Sequence, residues 1–182
     1  MPEMNPNAKR YLYLLTEAYR ARYAMASWFL RDSPAIVEIG GGEAPISEYV
    51  TGKRLFLVDP IYQDAWGVKI PVCKFGCKVS EFVKTAGVLL PERYGLLALG
   101  IGFHPDERTE EPAFLELMKK AGRVVIEYPP DYAPSLMTSK RILAESGRKE
   151  VAMLDLLVWG DPKKAEGDGL KAFPFRRMIV LE

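Results

Sequence analysis

Metal-binding and disulfide-forming residues are scarce in this 182-residue chain, which has two cysteines and one histidine. Cys73 and Cys77 lie together in the segment CKFGC, and no second cysteine pair follows. A tetrahedral zinc site needs four nitrogen, sulfur or oxygen ligands, most often supplied by Cys and His. We therefore predict two reduced cysteines and no bound metal.

The chain also lacks long apolar runs and an excess of charge. No stretch reaches the roughly 20 apolar residues of a membrane-spanning helix. The amino terminus, MPEMNPNAKR, does not have the basic-then-apolar pattern of a secretory signal. Its 25 basic and 24 acidic residues give a net charge of +1, which predicts no basic surface for nucleic acid or an anionic membrane. We expect a soluble, cytoplasmic protein that acts on a small molecule.

The most informative segment is AIVEIGGGEAPISEYV, which begins at Ala35. A short apolar stretch runs into the consecutive glycines Gly40, Gly41 and Gly42, and a second stretch, RLFLVDP, reaches an acid at Asp59. Glycines adopt positive φ and let a ligand approach the backbone, and an acid at this distance is placed to accept hydrogen bonds from a ribose. The pattern predicts a nucleoside-containing ligand at the carboxyl end of a parallel sheet.

Strands and helices alternate along the rest of the chain. Apolar spacing predicts one helix over residues 7–31, ended by Ser33 and Pro34. The predicted strands are 35–39, 55–58, 68–72, 94–99, 123–128, 150–158 and 175–181, and the later helices are 45–49, 81–86 capped by Ser80, 111–120, and 135–146 stopped by Gly147. The last two strands have no helix between them and should pair antiparallel. Residues 1–182 form one predicted domain, with 1–33 as an amino-terminal helical extension.

This order of elements resembles the Rossmann-like (class I) S-adenosylmethionine-dependent methyltransferases, from residue 34 to the carboxyl terminus. Residues 38–44, EIGGGEA, are similar to that family's first motif, acid-x-Gly-x-Gly-x-Gly, with Ala44 at the last glycine position. The resemblance implies an α/β three-layer sandwich with a seven-stranded, mostly parallel sheet and a carboxyl-terminal antiparallel strand pair. It also implies S-adenosylmethionine as cofactor and methyl transfer to a small-molecule acceptor.

The same resemblance implies roles for individual residues. Glu38 would support the glycine loop, and Asp59 would accept hydrogen bonds from both ribose hydroxyls. The other expected cofactor-binding residues are Gly40, Gly41, Gly42, Pro60, Ile61 and Gly100, of which Pro60 and Ile61 would lie beside the adenine. Many family members meet the adenine amino group with an acid or amide after the third strand, where this chain has Cys73 and Lys74.

Catalytic chemistry is assigned to His104, which follows the fourth strand in GIGFHPDE. Its unperturbed pKa lies near neutrality, so it is a candidate general base, and the alternative is a loop residue without a catalytic role. The acids Asp106, Glu107, Glu110 and Glu111 are interpreted as a solvated helix amino terminus in preference to a metal site.

Three alternatives stay open. A dinucleotide site is disfavoured, because Pro45 occupies the position where that fingerprint needs Gly or Ala. Residues 40–47 are also similar to nicotianamine synthase-like enzymes, which transfer the aminobutyrate arm of S-adenosylmethionine. A non-catalytic methyltransferase-like binding protein is the third.

The aromatic residues of the first helix are expected to form core or a homodimer face, with a lid over the acceptor as the alternative; they are Tyr11, Tyr13, Tyr19, Tyr23, Trp28 and Phe29.

Overall fold

The computed structural model describes residues 17–42, 46–62, 67–69, 72–100, 110–130, 133–157 and 175–182. The helices are α1 (Glu17–Phe29), α2 (Val79–Thr85), α3 (Glu111–Lys120) and α4 (Ala133–Ser146). The strands are β1 (Ala35–Ile39), β2 (Arg54–Val58), β3 (Gly67–Lys69), β4 (Val72–Phe75), β5 (Gly95–Leu99), β6 (Arg123–Tyr128), β7 (Glu150–Leu157) and β8 (Phe175–Leu181). Single 3₁₀ turns lie at Ile46–Glu48, Pro60–Tyr62 and Gly87–Leu89.

The strands form one sheet in the order β3-β4-β2-β1-β5-β6-β8-β7. The central strands β4, β2, β1, β5 and β6 are parallel, and β8 runs antiparallel to both β6 and β7. The predicted Rossmann-like fold class and its carboxyl-terminal antiparallel pair are therefore confirmed. Gly147 adopts a φ of +66° after α4, as expected for a glycine that ends a helix.

The third strand differs from its prediction and adds an eighth strand to the sheet. In place of one strand over 68–72, the chain forms β3 and β4, which pair antiparallel with Lys69 opposite Val72. Pro71 has no backbone N–H and cannot donate to a sheet ladder, which disfavours a continuous strand through this position.

Each face of the sheet carries its own apolar core. The helices α2, α3 and α4 cover one face, where Phe82, Phe114 and Ile142 pack on strand residues such as Val37 and Leu96. On the other face Tyr23 and Ala26 of α1, and Leu30 directly after it, are fully buried against Ile36 and Leu97. Tyr23 is thus a core residue, and the helix predicted over 7–31 ends at Phe29; the part before residue 17 lies outside the described residues.

Two local predictions were wrong. The helix expected over 45–49 is a single 3₁₀ turn, because the Glu38 carboxylate accepts the N–H of Ile46 at 2.7 Å and a turn at Gly52, with φ of +73°, soon leads into β2. Ser80 does not cap α2. It lies inside the first turn, and its N–H and hydroxyl both donate at 2.8 Å to the carboxylate of Glu110.

None of the helices in the described part of the chain combines the length and apolar character needed to cross a bilayer.

Candidate functional site

Two glycine turns stand side by side at the carboxyl edge of the sheet. Gly40 follows β1 and Gly100 follows the neighbouring β5, and both adopt a φ of +74°. Gly40 donates its N–H to the Val58 carbonyl at 2.9 Å, and Gly100 donates to the Glu127 carbonyl at 3.0 Å. Among the residues that the structure describes, none lies within 4 Å of a Cβ built on either glycine. The positive φ therefore selects glycine here.

The chain leaves these two strands on opposite faces of the sheet. Ile46, in the connection that follows β1, packs in the core on the α1 side, and α3, in the connection that follows β5, packs in the other core. Open α/β sheets bind ligands at such a divergence, outside the carboxyl ends of the strands. The crevice between Gly40 and Gly100 is thus the candidate binding site.

Asp59 joins the end of β2 to the glycine loop. Its Oδ2 accepts the N–H of Gly42 at 2.9 Å, and its Oδ1 accepts the N–H of Ile61 at 2.9 Å. Each carboxylate oxygen has about two acceptor positions, so both oxygens keep acceptor capacity for a ligand hydroxyl. The half-buried Asp59 carboxylate therefore orders the loop at the carboxyl edge of the sheet.

Glu38 lies beneath the loop and is 1% exposed. A Cβ at Gly41 would lie 2.8 Å from the Glu38 carboxyl carbon, so a larger residue at this position would have to displace the acid under it. Burial raises the pKa of Glu38 to about 8, hydrogen bonds from Ile46 and Tyr23 oppose the rise, and the charge of Asp59 adds to it. Burial therefore favours the protonated form of Glu38.

Tyr62 is a site residue that sequence reasoning missed. Its hydroxyl donates to the Gly42 carbonyl at 2.6 Å, and the Lys74 ammonium lies 5.3 Å from its ring centroid. Burial, followed by the charges of Glu38 and Asp59, raises the pKa of Tyr62, so the hydroxyl stays a donor. The available sequence signal was a tyrosine three residues after Asp59, and the sequence alone does not distinguish such a tyrosine from a core aromatic residue.

The structure brings most of the predicted cofactor residues together. Asp59 accepts the Gly42 N–H, Glu38 lies under Gly41 and accepts the Ile46 N–H, and Gly40 and Gly100 lie on adjacent turns. Pro60 and Ile61 follow in an exposed turn, with Ile61 48% exposed. His104 lies outside the described residues.

The end of β4 offers no side-chain acceptor for an adenine amino group. Cys73 is a buried free thiol in the core on the α2 side, and Lys74 is exposed and can only donate.

The acids before and within α3 correct another prediction. Glu110 and Glu111 are 7% and 8% exposed, so a solvated helix terminus is the wrong description of them. Glu110 binds Ser80, and Glu111 forms an ion pair with Arg141. Buried carboxylates require such partners. Asp106 and Glu107 lie outside the described residues.

The exposed glycines Gly40 and Gly100 and the Asp59 carboxylate are groups of the kind that a ribose and its two adjacent hydroxyls can contact. The exposed Pro60 and Ile61, directly after Asp59, offer an apolar surface of the kind that a flat base contacts.

The fold is that of the class I S-adenosylmethionine-dependent methyltransferases. It is similar to the Burkholderia thailandensis 1,6-didemethyltoxoflavin-N1-methyltransferase, solved with S-adenosylhomocysteine, with a TM-score of 0.63 and 17% identity over 96% of this chain and 82% of that one. The Streptomyces coelicolor geranyl diphosphate C-methyltransferase, also solved with S-adenosylhomocysteine, has a TM-score of 0.61 and 13% identity over 100% and 87%. A Pyrococcus horikoshii protein described as a candidate RNA methyltransferase has a TM-score of 0.58 and 11% identity over 94% and 88%.

The sequence itself matches no protein-family model and no curated protein. At identities of 11% to 17%, the structural likeness establishes the fold.

Proposed function

We propose that this protein binds S-adenosylmethionine in the crevice between Gly40 and Gly100 and transfers its methyl group to a small-molecule acceptor. The observation that carries the proposal is the Asp59 carboxylate, which accepts the Gly42 N–H at 2.9 Å and keeps acceptor capacity for a ligand hydroxyl. The fold class, whose solved members include enzymes with bound S-adenosylhomocysteine, supports the same cofactor.

In this proposal the chain's own residues hold and orient the cofactor. The loop Gly40, Gly41 and Gly42 presents backbone at close range, Asp59 accepts the ribose hydroxyls, and Glu38 supports the loop from below. Pro60 and Ile61 lie beside the base. When bound, S-adenosylmethionine supplies a methyl group already activated by a sulfonium, so alignment of the acceptor is the main demand on the protein.

His104 is proposed as the general base that removes a proton from the acceptor, because it follows β5 just beyond Gly100 in the sequence. The variant His104→Gln should lower kcat and leave the dissociation constant for S-adenosylhomocysteine unchanged. An unchanged kcat would show that His104 is a loop residue without a catalytic role.

Calorimetric titration with S-adenosylmethionine, S-adenosylhomocysteine and NAD tests the cofactor. We expect binding of the first two and no heat from NAD. The absence of binding heat with all three ligands would refute the proposal, and tight NAD binding would indicate a dinucleotide site instead.

The products of turnover test the reaction. Incubation with S-adenosylmethionine and a panel of small-molecule acceptors should release S-adenosylhomocysteine. Methylthioadenosine in its place would show aminobutyrate transfer. Binding without either product across the panel would favour a non-catalytic binding protein.

A further inference from the structure

Lys74 lies at the carboxyl end of β4, beside the strand that leads to Asp59. In the parallel ladder of β2 and β4 it is level with Leu57, and the carbonyl of the next residue, Phe75, accepts the Asp59 N–H at 3.1 Å. Phe75 packs in the core on the α2 side, and successive side chains of a strand point to opposite faces. The exposed Lys74 side chain therefore lies on the α1 face, at the edge where the glycine turns lie.

Tyr62 connects Lys74 with the glycine loop. The Lys74 ammonium lies 5.3 Å from the centroid of the Tyr62 ring, which is within the range of a cation–π contact. The hydroxyl of the same ring donates to the Gly42 carbonyl at 2.6 Å, and the Tyr62 N–H donates to the Asp59 carbonyl at 3.0 Å. Lys74, Asp59 and the glycine loop thus contact the same buried tyrosine.

The turn between Asp59 and Tyr62 is the part of the site to which the base is assigned. Pro60 and Ile61 form this turn, and the Ile61 N–H donates to Oδ1 of Asp59 at 2.9 Å. Among the described residues 59–62 and 72–75, Lys74 is the one charged side chain besides Asp59. If the ribose lies on Asp59, Lys74 is therefore the charged group on the base side of that carboxylate.

The chemistry of Lys74 differs from that of an acid or amide. An ammonium carries three donors and no acceptor, so it cannot bind the 6-amino group of adenine. It can donate to N7, which adenine shares with 6-oxopurines, and to the O6 atom of a 6-oxopurine. The neighbouring Cys73 does not replace the acceptor, because it is buried in the core on the α2 side.

We propose that Lys74 is the residue that recognises the base of the cofactor, by donating to the purine edge that carries N7 and the 6-substituent. The site then does not require the 6-amino group, and it accepts a 6-oxopurine cofactor as well as an adenine one. This inference rests on the proposed function, because it takes the ribose to lie on Asp59. Lys74 is assigned no contact with the transferred methyl group.

Calorimetric titration of the wild type with S-adenosylhomocysteine and S-inosylhomocysteine tests the selectivity. The two ligands differ in the base, where hypoxanthine has an oxo group in place of the 6-amino group. The dissociation constant of S-inosylhomocysteine should be at most about fivefold higher than that of S-adenosylhomocysteine. A larger preference for S-adenosylhomocysteine would overturn the proposal, because it would show that an acceptor binds the 6-amino group.

Two variants assign the selectivity to Lys74. Lys74→Met removes the donor and should weaken both ligands by about fivefold or more. Lys74→Glu replaces the donor with an acceptor, so the preference for S-adenosylhomocysteine over S-inosylhomocysteine should rise by about tenfold or more relative to the wild type. A lysine that only packs on Tyr62 would leave this preference unchanged. Because Lys74 is exposed, neither change removes a buried contact, and both variants should fold.

Lys84→Met is the matched control, the same change at an exposed lysine in the last turn of α2, and it should bind both ligands as the wild type does. Equal affinities of the wild type and Lys74→Met for S-adenosylhomocysteine would refute the role of Lys74 and leave the proposed function standing. An unchanged preference in Lys74→Glu would do the same. Failure of both ligands to bind the wild type would refute the proposed function, and this inference with it.

Discussion

The backbone N–H of Gly42 donates a hydrogen bond of 2.9 Å to Oδ2 of Asp59. This bond connects the loop after β1 to the acid after β2, the two features whose spacing in the sequence predicted a nucleoside ligand. Tyr62 closes the unit by donating to the Gly42 carbonyl at 2.6 Å. The loop is thus ordered by the protein itself, so the proposed cofactor would bind a preorganised loop.

Gly41→Ala tests the packing of the loop on Glu38. The added Cβ would lie 2.8 Å from the carboxyl carbon of Glu38, and the buried acid is held by the Ile46 N–H. We expect a loss of about 1–3 kcal/mol in unfolding free energy, as for other overpacked sites. Urea denaturation measures this loss. Gly122→Ala is the control, because its Cβ would make an ordinary contact of 3.6 Å with the Tyr94 carbonyl. Equal effects of the two changes would contradict the account.

Glu38→Gln tests the buried carboxyl through the pH dependence of stability. Burial raises the pKa of Glu38 in the folded protein to about 8 from an ordinary 4.5. Between these values the folded state keeps a proton that the unfolded state releases, so wild-type stability falls as the pH rises toward 8. Relative to the variant, the wild type should lose about 2–3 kcal/mol between pH 5.5 and 7.5. If the unfolding free energies of the wild type and Glu38→Gln change equally with pH across this range, the pKa of Glu38 is not raised.

Glu110→Ala tests the connection between α3 and α2. The Glu110 carboxylate accepts two hydrogen bonds of 2.8 Å from Ser80, in the first turn of α2. Removing this buried acceptor should lower the unfolding free energy by about 1.5–3 kcal/mol, the usual contribution of hydrogen bonds to a charged group. Glu92→Ala, at an exposed acid, should change it by less than about 0.5 kcal/mol. A comparable loss from both variants would argue against a stabilising contact between Glu110 and Ser80.

Arg148→Ala tests the carboxyl end of α3. The Arg148 guanidinium donates to the Met118 carbonyl at 2.6 Å and also to that of Ala121, both at the end of the helix. Its loss should lower the unfolding free energy by about 1–3 kcal/mol. Arg93→Ala, at an exposed arginine near the same edge, is the matched control and should be near neutral. Thermal denaturation distinguishes the two, and an unchanged midpoint for Arg148→Ala would refute its role.

The sequence predicted best those elements whose periodicity and end signals agree. The bounds of α3 and β6 match their predictions, and Gly147 ends α4 as expected. Local patterns could not predict the 3₁₀ turn at Ile46–Glu48, because its shape depends on the buried carboxylate of Glu38. They also could not predict that Glu110 would be buried against Ser80.

Some residues of the candidate site could likewise be predicted from local sequence patterns, and others could not. The glycines and Asp59 carry a motif, so their proximity could be predicted from spacing. Arg22 of α1 forms an ion pair with Glu127 of β6, 105 positions away, and this contact exists only because α1 lies along β6. Tyr62 has no motif at all. These long-range polar contacts follow from packing, which a single sequence does not encode as a pattern.

The dissociation constant of S-adenosylhomocysteine for Asp59→Asn is the most direct test of the central claim, that Asp59 and the glycine loop form a cofactor site. Calorimetry should show binding by the wild type and an approximately 10- to 100-fold weaker affinity for the variant, since a charged acceptor is lost. Glu92→Gln, the same chemical change at the opposite edge of the sheet, should bind as the wild type does. Equal affinities of the wild type and Asp59→Asn would contradict the account.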